Sequence, residues 1–276
     1  MSCCCCSTKS RIIAAAWGFR KLSVKEYFKS VNKLGISGLE MHIDAKETKN
    51  SLDSTNPVEE AKKAKELSEK YCVSISSIAI GNDFTLNNYD DINRQIENVK
   101  RAIDLADMLD SRIIRIFVGF IEKSKITDST YKKVWDSLNN VGKYAEKKNI
   151  TLCIENHGGI TANGDDCLKV LKGIKSKAVA INFDPANFYF YGEDPLKGLR
   201  KVAKYIKYAH WKDVKKVNDK NEYCAFGEGI IDWTPIIKEL GKIGYNGYYS
   251  IEYETFEDVE RGTLASLNKL KELGVK

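Results

Sequence analysis

No stretch of this chain is apolar for long. No run approaches the roughly 20 residues that a membrane-spanning helix needs, and the N-terminal segment lacks the apolar core of a secretory signal. A secreted disulfide scaffold is also excluded. Eight cysteines are present, but four form the run Cys3-Cys4-Cys5-Cys6, and Cys72, Cys153, Cys167 and Cys224 are scattered. That spacing is no disulfide framework, and the expected compartment is the cytoplasm. Neighbouring side chains diverge, so the run makes a poor tetrahedral metal site. Residues 1–10 are expected to form a disordered Cys-rich leader and residues 11–276 one folded domain. Prolines number four, and no segment rich in Pro, Gly and Ser divides the chain. Histidine is scarcer still: His42, His157 and His210 are the three.

What is present is an ordinary globular balance, 43% hydrophobic and 30% charged residues. A chain of 276 residues buries enough surface to fold without disulfide or metal staples, so a metal must be justified by function. The net charge is +6, but lysines alternate with glutamates, as in Glu59, Glu60, Lys62, Lys63, Lys65, Glu66, Glu69 and Lys70. Such mixing describes a solvated helix face rather than a basic surface for nucleic acid. Neither a nucleic-acid partner nor a membrane is expected; a homo-oligomer is compatible with the sequence.

Two patterns alternate along the chain. Short apolar, β-branched runs occur at 11–16, 38–43, 74–80, 112–118, 151–155, 179–183, 205–211 and 247–253. Segments of helical period fill the gaps. Ser23 caps a helix that runs to Leu34 and stops at Gly35, and Pro57 suits the first turn of the next. Ile92, Ile96, Val99 and Ile103 recur with a 3.6-residue period, as do Tyr131, Val134, Leu138, Val141 and Ala145. Further helices are expected over 165–174, 194–204, 233–240 and 256–273. Eight strands each followed by a helix imply parallel pairing and a closed α/β (β/α)8 barrel of the TIM type. The alternative, an open doubly wound sheet, lacks its phosphate-binding glycine spacing after the first strand, where Ala14-Ala15-Ala16-Trp17-Gly18 stands.

In such a barrel the chemistry lies at the C-terminal ends of the strands. Strand five ends in Ile154-Glu155-Asn156-His157, strand six in Phe183-Asp184-Pro185-Ala186-Asn187, strand seven in His210-Trp211-Lys212-Asp213 and strand eight in Ile251-Glu252-Tyr253-Glu254. One charged group at a strand end is most often an exposed ion pair. Four successive strands, each delivering a carboxylate or imidazole out of an apolar run, are a different matter, because unpaired burial costs several kcal/mol per charge. A shared cation removes that cost. Glu155, Asp184, His210 and Glu252 offer three carboxylates and one imidazole, a set suited to Mn2+, Mg2+, Co2+ or Zn2+.

With those four strand ends, and with Gly-Glu-Gly-Ile-Ile-Asp-Trp at 227–233 and Gly-Tyr-Asn-Gly-Tyr-Tyr-Ser-Ile-Glu at 244–252, the chain resembles the xylose-isomerase-like TIM barrels over about residues 11–274. That group includes ketose 3-epimerases, hydroxypyruvate isomerase, inosose dehydratase and isomerase and, more distantly, endonuclease IV. The resemblance implies the same four metal ligands and, from the epimerases, a catalytic acid/base pair in Glu155 and Glu252. It also implies a sugar or sugar-like polyol as substrate. The epimerases commonly carry a His three residues after the strand-six Asp, where this chain has Asn187, and an Arg soon after the strand-seven His, where the nearby cation is Lys212. Endonuclease IV needs more histidines than the three present.

The chemistry expected is proton abstraction next to a carbonyl through an enediolate, giving an isomerase or epimerase. A lyase of the inosose dehydratase type is the alternative, with Lys212 or His157 protonating the departing hydroxyl. An abasic-site endonuclease-like protein is a more distant one. His157, Asn187, Lys212 and Glu228 are the candidate substrate contacts. His157 equally suits a role behind the ligands, Lys212 a pairing with a ligand carboxylate, and Glu228 an exposed loop. Trp17 is a candidate apolar wall or core residue. Glu40 and His42, on one face of strand two, either line the pocket or form a structural polar pair.

Overall fold

The computed structural model describes residues 10–276; the Cys3-Cys4-Cys5-Cys6 run, and the leader expected around it, lie outside the described residues. In chain order the strands are β1 (Ile12–Ala14), β2 (Gly38–Ile43), β3 (Ser51–Leu52), β4 (Ser74–Ile80), β5 (Ile113–Ile116), β6 (Thr151–Glu155), β7 (Val179–Phe183), β8 (Ile206–Trp211), β9 (Asp213–Val217), β10 (Lys220–Cys224) and β11 (Tyr249–Ile251). The helices are α1 (Val24–Lys33), α2 (Pro57–Tyr71), α3 (Tyr89–Met108), α4 (Asp128–Glu146), α5 (Gly164–Leu171), α6 (Pro185–Phe190), α7 (Pro195–Val202), α8 (Trp233–Lys242) and α9 (Val259–Glu272). The parallel order β1-β11-β8-β7-β6-β5-β4-β2 closes through the pairing of Ala14 with Leu39, which makes an eight-stranded barrel. No described helix is long and apolar enough to cross a membrane.

Local chemistry explains why the elements start and stop where they do. Ser23 and Glu26 form a reciprocal capping box at the start of α1, and Gly35 follows its end at φ 70°, as the sequence predicts. The helices bury their apolar stripes against the outside of the barrel, in one cluster that includes Phe28, Val31, Val99, Leu138 and Leu267.

Along a strand, alternate residues face opposite ways. Ile12 and Ala14 join that outer cluster, so Ile13 points into the barrel, where it meets Cys153, Ala180 and Tyr208 in a small second cluster. Above this layer the interior is not filled by branched apolar side chains, the usual barrel filling. It holds Glu40, Ser77, Asn182, His210 and Ser250, all fully buried.

Three elements depart from the sequence reading. The residues after β7 turn at once into α6, because Asp184 caps it by accepting from Asn187 N and Pro185 takes the first helical position. Lys212 is followed by an antiparallel hairpin, β9 with β10, turning at Asn218 and Asp219, both at positive φ. Asn and Asp tolerate that conformation in a two-residue turn. The third is short β3, which pairs with β2 at His42 and Ile43.

Candidate metal and active site

The barrel brings four distant residues to one point. Glu155 ends β6, Asp184 follows β7, His210 is the penultimate residue of β8, and Glu252 follows β11. None exceeds 4% exposure. Each offers one ligand atom, and these atoms lie within 4.8 Å of one another. His210 Nδ1 is 3.4 Å from Glu252 Oε1 and 3.7 Å from Glu155 Oε1. It has no hydrogen-bond partner, and neither does Asp184 Oδ2. Buried polar atoms are rarely left unpaired, and when they are, an unobserved ion is one standard reason. A divalent cation fits this donor set of carboxylate oxygens and one imidazole nitrogen.

Each ligand has further polar contacts. Asn187 Nδ2 donates to Glu155 Oε1 at 3.1 Å, and Arg115 Nε lies 3.2 Å from Glu155 Oε2. Asp184 Oδ1 is spent on the α6 cap, which turns Oδ2 to the site. His210 Nε2 lies 3.0 Å from Glu40 Oε2. Lys212 Nζ sits among three carboxylates, 2.5 Å from Glu252 Oε2, 2.8 Å from Glu254 Oε1 and 3.0 Å from Asp184 Oδ2. The last distance is that of an ion pair without hydrogen-bond alignment, so Asp184 Oδ2 stays available.

Crowded charge sets the titration of the cluster. Burial pushes the Asp184 carboxyl up to about 7, with Lys212 pulling against it and the neighbouring glutamates adding to it. Burial also opposes ionisation of Glu155 and Glu252. In Glu155 the His210 charge outweighs it, and in Glu252 Lys212 and His210 do, so both stay below the usual carboxylate range. His210 loses proton affinity by burial but gains more from Glu252, Glu40 and Glu155, and ends well above the usual imidazole value. Three anions that hold a proton on one imidazole are the charge deficit that a cation would fill.

Two of the four, Glu155 and Glu252, line a cavity of about 300 Å3. Its wall includes Trp17, His42, Arg115, Phe117, His157 and Lys212. Trp17 is thus a wall residue, with the Arg20 guanidinium 4.6 Å from its ring centre. His157 stands at the mouth, its ring 5.3 Å from that of Phe117 and 6.4 Å from that of Tyr191. The turn behind it contains Gly158 at φ 72°, and a Cβ there would collide with the Tyr191 ring.

Two expected substrate contacts fall elsewhere. Asn187 is fully buried behind Glu155, with its Oδ1 accepting from Tyr223 of the hairpin at 2.7 Å. Glu228 is exposed and pairs with Arg261. Its loop is wrapped around Asp213, whose carboxylate accepts from Val214 N, Gly227 N, Ile231 N and Trp233 Nε1. That anchoring turns the Glu228 side chain outward. Glu40 bonds to His210 and Tyr208 rather than to His42.

Sequence reading missed Arg115, Glu254 and Tyr223. Arg115 carries the same signal that marked the other four strand ends, a charge inside the apolar run Ile113-Ile114-Arg115-Ile116. Glu254 and Tyr223 carry no such signal, since the hairpin and the chain after β11 place them.

His42 supplies a stability prediction. Burial, assisted by the Arg115 charge, lowers its pKa to about 4. The unfolded chain takes up that proton near the ordinary imidazole value of about 6.5 and the folded protein resists it, so acid favours unfolding. The folded state therefore loses about 3 kcal/mol as pH falls from about 6.5 to 4. His42→Gln is expected to flatten that limb of the stability curve, read by urea denaturation of both proteins across the range. Parallel curves would show that His42 does not titrate in this window.

The profile of a family described as xylose isomerase-like TIM barrel matches residues 28–273. An inosose dehydratase of Clostridium perfringens is 28% identical over 151 residues, 49% of this chain and 51% of that protein. The chain thus spans about half the length of the curated relatives it matches. Among solved structures, a D-tagatose 3-epimerase-like protein superposes with a TM-score of 0.79 at 21% identity, covering 95% of this chain and 96% of the other. A probable 3-DHS dehydratase of Bacillus anthracis gives a TM-score of 0.77 at 17% identity, covering 94% and 98%.

Proposed function

The chain belongs to the xylose isomerase-like TIM barrel family, and from that premise we propose that it is a divalent-metal-dependent isomerase or epimerase of a sugar or sugar-like polyol. The observation that carries the reading is the convergence of Glu155, Asp184, His210 and Glu252 within 4.8 Å, with His210 Nδ1 and Asp184 Oδ2 lacking a hydrogen bond. These four residues would hold Mn2+, Mg2+, Co2+ or Zn2+. Such an ion, when bound, supplies Lewis-acid polarisation of a substrate carbonyl.

The protein's own groups move the protons. Lys212 occupies Glu252 Oε2, and Oε1 remains turned toward His210. Glu155 is fixed by Asn187 and Arg115. The two carboxylates approach His210 from β11 and β6, with β8 and β7 between those strands in the sheet. One carboxylate removes the proton next to the carbonyl and becomes a carboxylic acid; it then gives that proton to the neighbouring carbon, or the other carboxylate, protonated from solvent, returns one to the opposite face of the same carbon. His157, Trp17 and Phe117 bound the space in which the carbon skeleton lies. Groups positioned in this way contribute about 10²–10⁴-fold each.

A lyase is the second reading, favoured by the similarity to inosose dehydratases. There Lys212, which lines the cavity, donates the proton to a departing hydroxyl. Incubation of metal-loaded protein with ketoses and inososes in deuterated water, followed by NMR, separates the readings. Deuterium next to the carbonyl together with a second isomer is the expected result. A product lighter by one water selects the lyase. No exchange with any member of the panel sinks both.

A further inference from the structure

A polar column runs through the barrel beneath the proposed metal site. His210 Nε2 lies 3.0 Å from Glu40 Oε2. Tyr208 donates its hydroxyl to the same Glu40 oxygen at 2.9 Å, and Ser77 Oγ lies 2.8 Å from the Tyr208 oxygen. Because Tyr208 gives its one proton to Glu40, Ser77 is the donor in that last contact. The four side chains come from β2, β4 and β8 and are buried, none of them measurably exposed. Apolar side chains would fill this interior at lower cost, since an interior carboxylate carries a desolvation penalty of several kcal/mol. Among the described residues Glu40 has no Lys or Arg within ion-pair distance, and its one such partner is His210.

An ionised carboxylate accepts hydrogen bonds and donates none, so the proton between Glu40 and His210 belongs to Nε2. A neutral His210 then has its lone pair on Nδ1, the atom that faces Glu155 and Glu252 without a hydrogen bond. We propose that Glu40 is a positioning residue for the metal centre. It holds His210 in the Nε2–H tautomer so that Nδ1 is presented to the cation, and Tyr208 and Ser77 hold Glu40 in turn. This rests on the metal-dependent reading above. A carboxylate bonded to the far nitrogen of a ligating imidazole fixes ring orientation and raises the basicity of the ligating atom, and its loss costs about 10–100-fold in metal affinity.

Glu40→Leu, Glu40→Gln and Tyr208→Phe test the assignment by Zn2+ affinity, measured by competition with a chelator, and by 15N NMR of the Zn2+-loaded protein. Three histidines keep that spectrum simple to assign. Glu40→Leu is expected to bind Zn2+ about 10–100-fold more weakly, without a lower unfolding temperature in the metal-free state. Gln still accepts from Nε2–H and is expected to recover part of the affinity. Tyr208→Phe, which preserves shape, is expected to weaken binding several-fold and serves if Glu40→Leu does not fold. The 15N shifts are expected to show His210 protonated at Nε2 and ligating through Nδ1. Wild-type affinity in both Glu40→Leu and Tyr208→Phe, or ligation through Nε2, overturns the proposal while leaving the metal site standing. So does a purely structural outcome, in which metal-free stability falls and affinity does not. A wild-type protein that binds no divalent ion overturns both.

Discussion

Glu252→Gln is expected to slow exchange of the substrate C–H proton with solvent by about 10³-fold, the middle of the range for loss of a positioned acid or base. The substitution keeps the size of the side chain and an oxygen able to face the cation, but removes the proton-accepting group. The geometry makes Glu252 well placed for this work. Lys212 takes one of its oxygens, and the lysine and His210 hold its carboxyl below the usual range despite burial, so it rests ionised and ready to accept. The loss should lie mainly in kcat, because the proton moves after binding. Metal content has to be measured on the same sample, since an empty site would mimic the effect. Exchange within tenfold of the wild type in a metal-loaded Glu252→Gln protein would remove Glu252 from the reaction.

The second large effect concerns stability. Lys212 is one ammonium among three carboxylates, at 1% exposure. Removing one partner of a buried ion pair costs about 3–5 kcal/mol, because the remaining charge is left uncompensated. Lys212→Met should therefore destabilise the metal-free protein by about that amount. Burial already pushes Asp184 up to about 7 with the lysine pulling against it; without the lysine, protonation of this carboxyl becomes easier still. A divalent cation supplies the missing positive charge. At a hundredfold excess over its dissociation constant, a ligand that binds only the folded state adds about 2.7 kcal/mol. Urea denaturation with chelator and with Mn2+ should then show a larger rescue by the ion in Lys212→Met than in the wild type. Equal increments in the two proteins would show that lysine and ion do not share these carboxylates.

Both effects depend on residues that differ in how openly the sequence displays them. Glu155, Asp184, His210 and Glu252 are legible because each interrupts or ends an apolar run, where a charge has no cheap explanation. Arg115 obeys the same logic inside Ile113–Ile116. Asn187 and Glu228 show the limit of inference by position. One is held behind Glu155, and the other is turned to Arg261 by a loop anchored on Asp213. Glu40 has a charge on an apolar strand, but its partner lies 170 positions away and cannot be found by local pattern.

The alternation of apolar runs with segments of 3.6-residue period determined the eight-stranded barrel, because burial on both strand faces and on one helix face is written into local periodicity. Caps such as Ser23 and Gly35 are local too, set by hydrogen bonds and backbone angles within a few residues. The orientation of side chains at the strand ends was decided only by barrel closure, which sets register and stagger between strands far apart in the chain. Closure put Lys212 among three carboxylates and Glu40 beneath His210, and the β9–β10 hairpin brought Tyr223 to Asn187. Such contacts depend on distances between strands, and no property of a single segment encodes them.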